Sequence, residues 1–142
     1  MQNFKNHAKL NPLHHFILAP ITLILLVWSS INLVKNGLSD TAFIFSFLLA
    51  LAVFLVGLIA RMYATKNQDR TIRLEMRLRY FEMTGTSFSS KEKQLKLSQI
   101  IALRFAGDAE ILPLLERAIA ENLSSKEIKL AITDWQGDYN RV

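Results

Sequence analysis

The side chains able to move protons, bind metals or attack a substrate are few in this sequence and poorly clustered. His7, His14 and His15 are the only histidines, all before or at the start of the first apolar run. Metal or haem ligation there would need partners on a facing helix, and the second apolar run carries neither histidine nor methionine. With no cysteine, a thiol nucleophile, a zinc ribbon, a disulfide framework and a c-type haem attachment are excluded. Gly37, Gly57, Gly85, Gly107 and Gly137 are too scattered to form a phosphate-cradling loop. There is no H-E-x-x-H, G-x-S-x-G or calcium-loop pattern. What remains is charge pairing. Asp108 and Glu110 suit the positive end of a helix dipole, and Arg104 with Asp138 and Arg141 suits a salt bridge or small polar network, or a partner site. Neither catalytic residues nor a cofactor or metal are assigned, and an enzyme is not expected.

The elements that position these groups follow from how charge is distributed. Of 142 residues, 51% are hydrophobic and 20% charged, yet Lys35 and Asp40 are the only charged residues between Lys9 and Arg61. Residues 16–34 and 41–60 are therefore uncharged runs of nineteen and twenty residues. At about 1.5 Å of rise per residue each is long enough to cross a hydrocarbon layer of roughly 30 Å. Pro20 should kink the first run or free a carbonyl. Residues 35–40 are too short a link for anything but an antiparallel hairpin. Lys5 and Lys9 precede the first run and six basic residues lie between Arg61 and Arg79, against a lone Lys35 in the link. The positive-inside rule then puts both termini in the cytoplasm. A cleaved signal peptide fits less well, because no small-x-small site follows Trp28 and the apolar run is long for that role.

Net charge is +5, but residues 83–142 carry eight charges of each sign. The excess sits at the ends of the apolar runs, so it signals topology and argues against nucleic acid as a partner. The basic stretch from Arg61 to Arg79 is expected to touch anionic lipid headgroups near its start. Within the second run Ala50, Gly57 and Ala64 recur every seven residues beside Ala60. Such small residues let another helix approach closely, from the same hairpin, a second copy or another membrane protein.

No proline or glycine interrupts residues 58–84, which predicts that the second span continues as a stalk helix to about Met83. Ile72, Met76 and Met83, with Leu74, Leu78 and Phe81, give it a wide apolar surface that needs a cover. Asp69 with Arg73, and Glu75 with Arg79, are spaced for i,i+4 ion pairs. After Gly85, three shorter helices are expected. Ser89 to Glu92 and Ser124 to Glu127 repeat one tetrapeptide with capping-box spacing, read as convergent capping and not as a helical repeat. Gly107 and Asp108 end one helix and start the next, with an alternative start at Pro113 after a short first turn. Leu97, Ile100, Ile101 and Phe105 line one helix, Ile111, Leu115, Ala118, Ile119 and Leu123 the next, and Ile128, Ile132, Trp135 and Tyr139 the last. About sixty residues make a thin core, so packing on the stalk or on a partner is expected.

These motifs together resemble a bacterial membrane-protein family known only as a domain of unknown function. The resemblance rests on Gln68-Asp69-Arg70 leading into Ile72-Arg73-Leu74-Glu75, on Leu103-Arg104-Phe105-Ala106 before Asp108, and on a closing pattern through Ile128, Ala131, Trp135, Asp138, Tyr139, Arg141 and Val142. Gly107 stands where that family's pattern has serine. The resemblance implies an inner-membrane location and two spans, and it lends no activity. If the family shares a site, it implies that Asp69, Arg70, Arg73, Arg104, Asp108, Asp138 and Arg141 carry it here.

The fold expected is all-α: a head (1–15), spans at 16–34 and 41–60 joined by an extracytoplasmic turn (35–40), a stalk helix (61–83) and a helical tail (84–142). The function expected is a non-enzymatic adaptor or accessory subunit of the bacterial inner membrane, binding a protein partner or itself. The alternative is a small oligomeric channel or transport component, for which the hairpin offers no ionisable side chain.

Overall fold

The computed structural model describes Phe4 and residues 11–138. It is all-α, with a π-helical turn Leu13–Leu18 followed by α1 Ala19–Asn36, α2 Thr41–Thr84, α3 Ser89–Glu92, α4 Leu97–Leu103, α5 Asp108–Ala120 and α6 Ser125–Ala131. Two compact units divide the described chain, one over residues 11–65 and one over 66–138.

In the first unit the Asn11 Oδ1 accepts the His14 backbone N–H at 3.1 Å and starts the helical run. The strain expected at Pro20 is taken up ahead of it. Proline lacks the N–H that an α-helix would aim four residues back, and the chain over Leu13–Leu18 winds as a π-helix, with the Ala19 N–H bonded to the His14 carbonyl. Hydroxyls inside the apolar helices are satisfied locally: Thr22 donates to the Leu18 carbonyl at 2.9 Å, Ser30 to Leu26 at 2.6 Å and Ser46 to Ala42 at 2.7 Å. Gly37, at φ 78°, ends α1 in a conformation that a side chain would disfavour. Asp40 then caps α2 by accepting the Ala42 N–H at 2.9 Å. Helices α1 and α2 return on each other, with Leu18 lying against Gly57 and Leu25 and Trp28 sharing a cleft with Phe45 and Leu49. Both are long and apolar enough to cross a membrane, over Leu13–Asn36 and within Thr41–Thr84.

In the second unit the tail core includes α2. Ile72 and Met76 are buried in one cluster with Phe88, Ile100, Leu103, Phe105, Ile111, Leu115, Ala118, Ile128 and Ile132. Packing against α2 is how this short tail obtains a core. Three details differ from expectation. Among the described residues the tail holds four helices and not three: the helix at Ser89 lasts one turn and α4 starts separately at Leu97, while Glu92 pairs with Arg77 of α2 instead of capping Ser89. Helix α5 begins at Asp108, as the Gly107-Asp108 boundary predicts, and carries Pro113 in its interior instead of starting afresh there. The last helix stops at Ala131, where Ile132 turns extended, so Trp135 lies outside it. Tyr139 falls outside the described residues. The second tetrapeptide does cap: Ser124 Oγ accepts the Glu127 N–H at 3.3 Å, and Glu127 accepts the Ser124 N–H at 2.7 Å. That hydrogen bonding keeps the Glu127 carboxyl below its ordinary range.

Candidate functional site

The charged residues of the tail converge on the segment 103–110, which joins α4 to α5. Leu103 is fully buried and anchors its start. The next side chain, Arg104, is only 8% exposed and reaches Asp138 at 2.9 Å. Its guanidinium also lies 4.7 Å from the Phe105 ring centre. The Phe105 ring packs against Trp135 at 5.2 Å. Backbone pairing holds the same two stretches: Ala106 and Trp135 form an antiparallel bridge. Beside it, the Gly107 N–H donates to the Asp134 carbonyl and the Gln136 N–H to the Phe105 carbonyl, each at 2.8 Å.

Arg79 of α2 closes this segment from the other side. Its Nε donates to Asp108 Oδ1 at 2.8 Å. Its Nη2 donates to the Ala106 carbonyl at 2.7 Å and its Nη1 to the Arg104 carbonyl at 3.3 Å. One planar guanidinium thus ties a carboxylate and two loop carbonyls to the helix, a task a lysine point charge could not copy. Glu110 makes the matching clamp on the C-terminal stretch. It accepts the Thr133 hydroxyl at 2.6 Å and the Thr133 and Asp134 N–H groups at 3.1 Å. Partial burial pushes its pKa upward, but hydrogen bonds from Thr133, Asp134 and Gly107 outweigh this and leave the carboxyl below its ordinary range.

Gly107 has an ordinary backbone conformation, φ −65° and ψ 161°, so the position needs space and not a special dihedral. A Cβ there would stand 2.8 Å from the Asp134 Cγ and 3.2 Å from its Cβ. A serine would fit the helix cap only after the exposed Asp134 side chain turned aside.

Of the residues singled out in the sequence, Arg104, Asp108 and Asp138 are brought to this one segment. Asp69, Arg70 and Arg73 are not. Asp69 is half-buried and Arg70 exposed on α2. Arg73 stands 3.7 Å from Glu92. Arg141 falls outside the described residues. The i,i+4 pairs expected along α2 give way to longer reaches, Arg73 to Glu92 and Arg79 to Asp108, carboxylates that the folded tail brings to α2. Glu92 also accepts Arg77 in a fork, at 2.7 and 3.1 Å, and this bond and charge raise the arginine's pKa. Of the small-residue stripe, Ala50 is buried and Gly57 and Ala64 are half-buried, while Ala60 is exposed.

Sequence reasoning assigned Arg79, Glu110 and Glu92 other tasks, as an i,i+4 partner, a helix-dipole acid and a cap, and it left the buried Gln99 unremarked. For Arg79 a signal existed: it lies seven residues after Ile72 and three after Met76, so it shares the face those apolar residues bury. Chemically, the segment gathers donors and acceptors that satisfy each other. Its arrangement fastens three stretches of chain together. Among the described residues no group of three or more His, Asp or Glu side chains is placed to hold a metal.

A family model described as a family of unknown function, DUF6526, matches residues 1–142 of the chain. No curated protein and no solved structure matches it.

Proposed function

Starting from the fact that the chain belongs to the DUF6526 family of unknown function, we propose that it is a two-span protein of the bacterial inner membrane whose cytoplasmic tail serves as a non-enzymatic adaptor or accessory subunit. The observation that carries the membrane reading is where the apolar side chains lie. Within the protein, 11% of the apolar window of the first long helix is buried and 0% of that of the second. Phe16, Ile24, Trp28, Val34, Phe45 and Val56 are all at least 60% exposed. Soluble monomers rarely expose contiguous apolar patches above a few hundred Å², and a bilayer is the solvent that suits these helices. Basic residues at Arg61 and beyond, on the C-terminal side of the second span, favour both termini in the cytoplasm, with Arg61 at the level of anionic headgroups.

The adaptor reading is supported by the use to which the tail's charged groups are put. Arg79, Arg104, Asp108, Glu110 and Asp138 are engaged in holding the tail together, whereas an enzyme of this size would need some of them turned toward a substrate. Carbonate extraction of membranes containing the full chain tests insertion: the protein should stay in the pellet, and release into the supernatant would end the proposal. Native size in mild detergent tests the adaptor role. A stoichiometric complex is expected, and a lone monomer would contradict it.

A further inference from the structure

We propose that the exposed apolar face of α2 beyond the membrane is the seam of a parallel homodimer. Leu74, Leu78 and Phe81 are 61%, 59% and 56% exposed, although they sit on the same helix as the buried Ile72 and Met76. At 3.6 residues per turn, Thr71, Leu74, Leu78 and Phe81 fall within an arc of about 80°, and that arc lies about 160° from the buried stripe. Helix α2 is therefore apolar on two opposite sides, and the tail covers one. The uncovered side has the four–three spacing of a coiled-coil seam, with Leu74 and Phe81 at d and Thr71 and Leu78 at a.

The charges beside this face select the occupant. In that register Arg70 and Arg77 take the g positions, and Glu75 and Glu82 take the e positions. A parallel pair of coiled-coil helices brings each g residue to the e residue five places on in the other helix. Arg70 would then meet Glu75 of the second copy, and Arg77 would meet Glu82. Both rows are complementary only when the second helix is the same helix in the same direction. Arg70, Glu75 and Glu82 make no ion pair among the described residues, whereas Arg77 already holds Glu92. A lipid surface suits the face poorly, because Glu75 and Glu82 along one edge would oppose the anionic headgroups that Arg70 and Arg77 along the other attract.

About two heptads are too few to pair in dilute solution. Two copies threaded through one bilayer with the same orientation are held parallel and at high effective concentration. The inference thus rests on the membrane reading. It also gives that reading's unspecified partner an identity, a second copy of the chain.

The natural absence of cysteine gives a clean background for testing it in the full-length protein reconstituted into phosphatidylethanolamine and phosphatidylglycerol vesicles. Under mild oxidation Leu74→Cys and Leu78→Cys should each give a disulfide-linked dimer, while Lys93→Cys, exposed on the tail, should stay monomeric. In the Leu78→Cys background, Arg70→Glu or Glu75→Arg alone should cut the cross-linked fraction about threefold, and the two together should restore it. Vesicle flotation separates the two ways of failing. A chain that does not float overturns the membrane reading and the dimer with it. A chain that floats but whose seam cysteines remain monomeric overturns the dimer alone.

Discussion

Arg79 is the side chain on which the tail's attachment to α2 turns most directly. It is 18% exposed and answers Asp108 and two carbonyls at once. Removing it takes the donor from two loop carbonyls, while the exposed Asp108 carboxylate turns to water, so Arg79→Ala should destabilise the tail by about 1–3 kcal/mol. Arg79→Lys should recover only part, because one ammonium cannot span all three acceptors. Denaturant unfolding read from Trp135 fluorescence, in a Trp28→Phe background, measures both. Glu110 gives a pH signature with a definite sign. Its carboxyl pKa is lowered in the folded chain, so its contribution is present above the unfolded value of about 4.5 and is lost as pH falls through the lower folded value. The Trp135 signal should therefore loosen under acid in the native chain, and Glu110→Gln should flatten that step. The sequence suggested the salt bridge of Arg104 with Asp138 but not the reach of Arg79 to Asp108. Side chains separated by dozens of residues choose partners only once the backbone has closed, and that is why Arg79 was assigned to its near neighbour Glu75.

Among the elements, α4 and the turn before α6 depend on one buried amide. Gln99 is 3% exposed; its Oε1 accepts the Lys96 N–H at 2.6 Å and its Nε2 donates to the Leu123 carbonyl at 2.7 Å. Gln99→Leu keeps the bulk but strands both backbone groups, which should cost about 1–3 kcal/mol, measurable in the same unfolding assay. A loss no larger than that of an exposed substitution such as Lys93→Ala would refute this role. Element identity was largely legible from apolar spacing: α2 ends at Thr84, as the absence of helix breakers predicts, and α5 carries Ile111, Leu115, Ala118 and Ile119 as assigned, whereas α6 keeps Ile128 and leaves Ile132 and Trp135 beyond its end. Boundaries were less legible where tertiary bonds compete with local signals. Glu92 abandons the cap for Arg77, Glu110 captures the amides of Thr133 and Asp134 and so ends α6 early, and Pro113 is tolerated inside α5. Phe88, in a polar Ser- and Thr-rich turn, is buried at 2% against Tyr80 at 5.1 Å, and no periodicity announces it.

For the molecule as a whole, the opposition between an apolar first half and a charged second half orders everything else. The charge-free stretches of α1 and α2 leave apolar side chains outward, and the tail buries apolar side chains and pairs charges at its surface. That contrast supports lipid around the first and water around the second. The absence of cysteine makes topology directly measurable in intact cells. With one cysteine introduced at Leu38 in the turn between α1 and α2, and separately at Lys93 in the tail, labelling by a membrane-impermeant maleimide reads which side each occupies. Leu38→Cys should be labelled from outside the inner membrane, while Lys93→Cys should react only after the membrane is permeabilised. Labelling of both positions from the same side would contradict this topology.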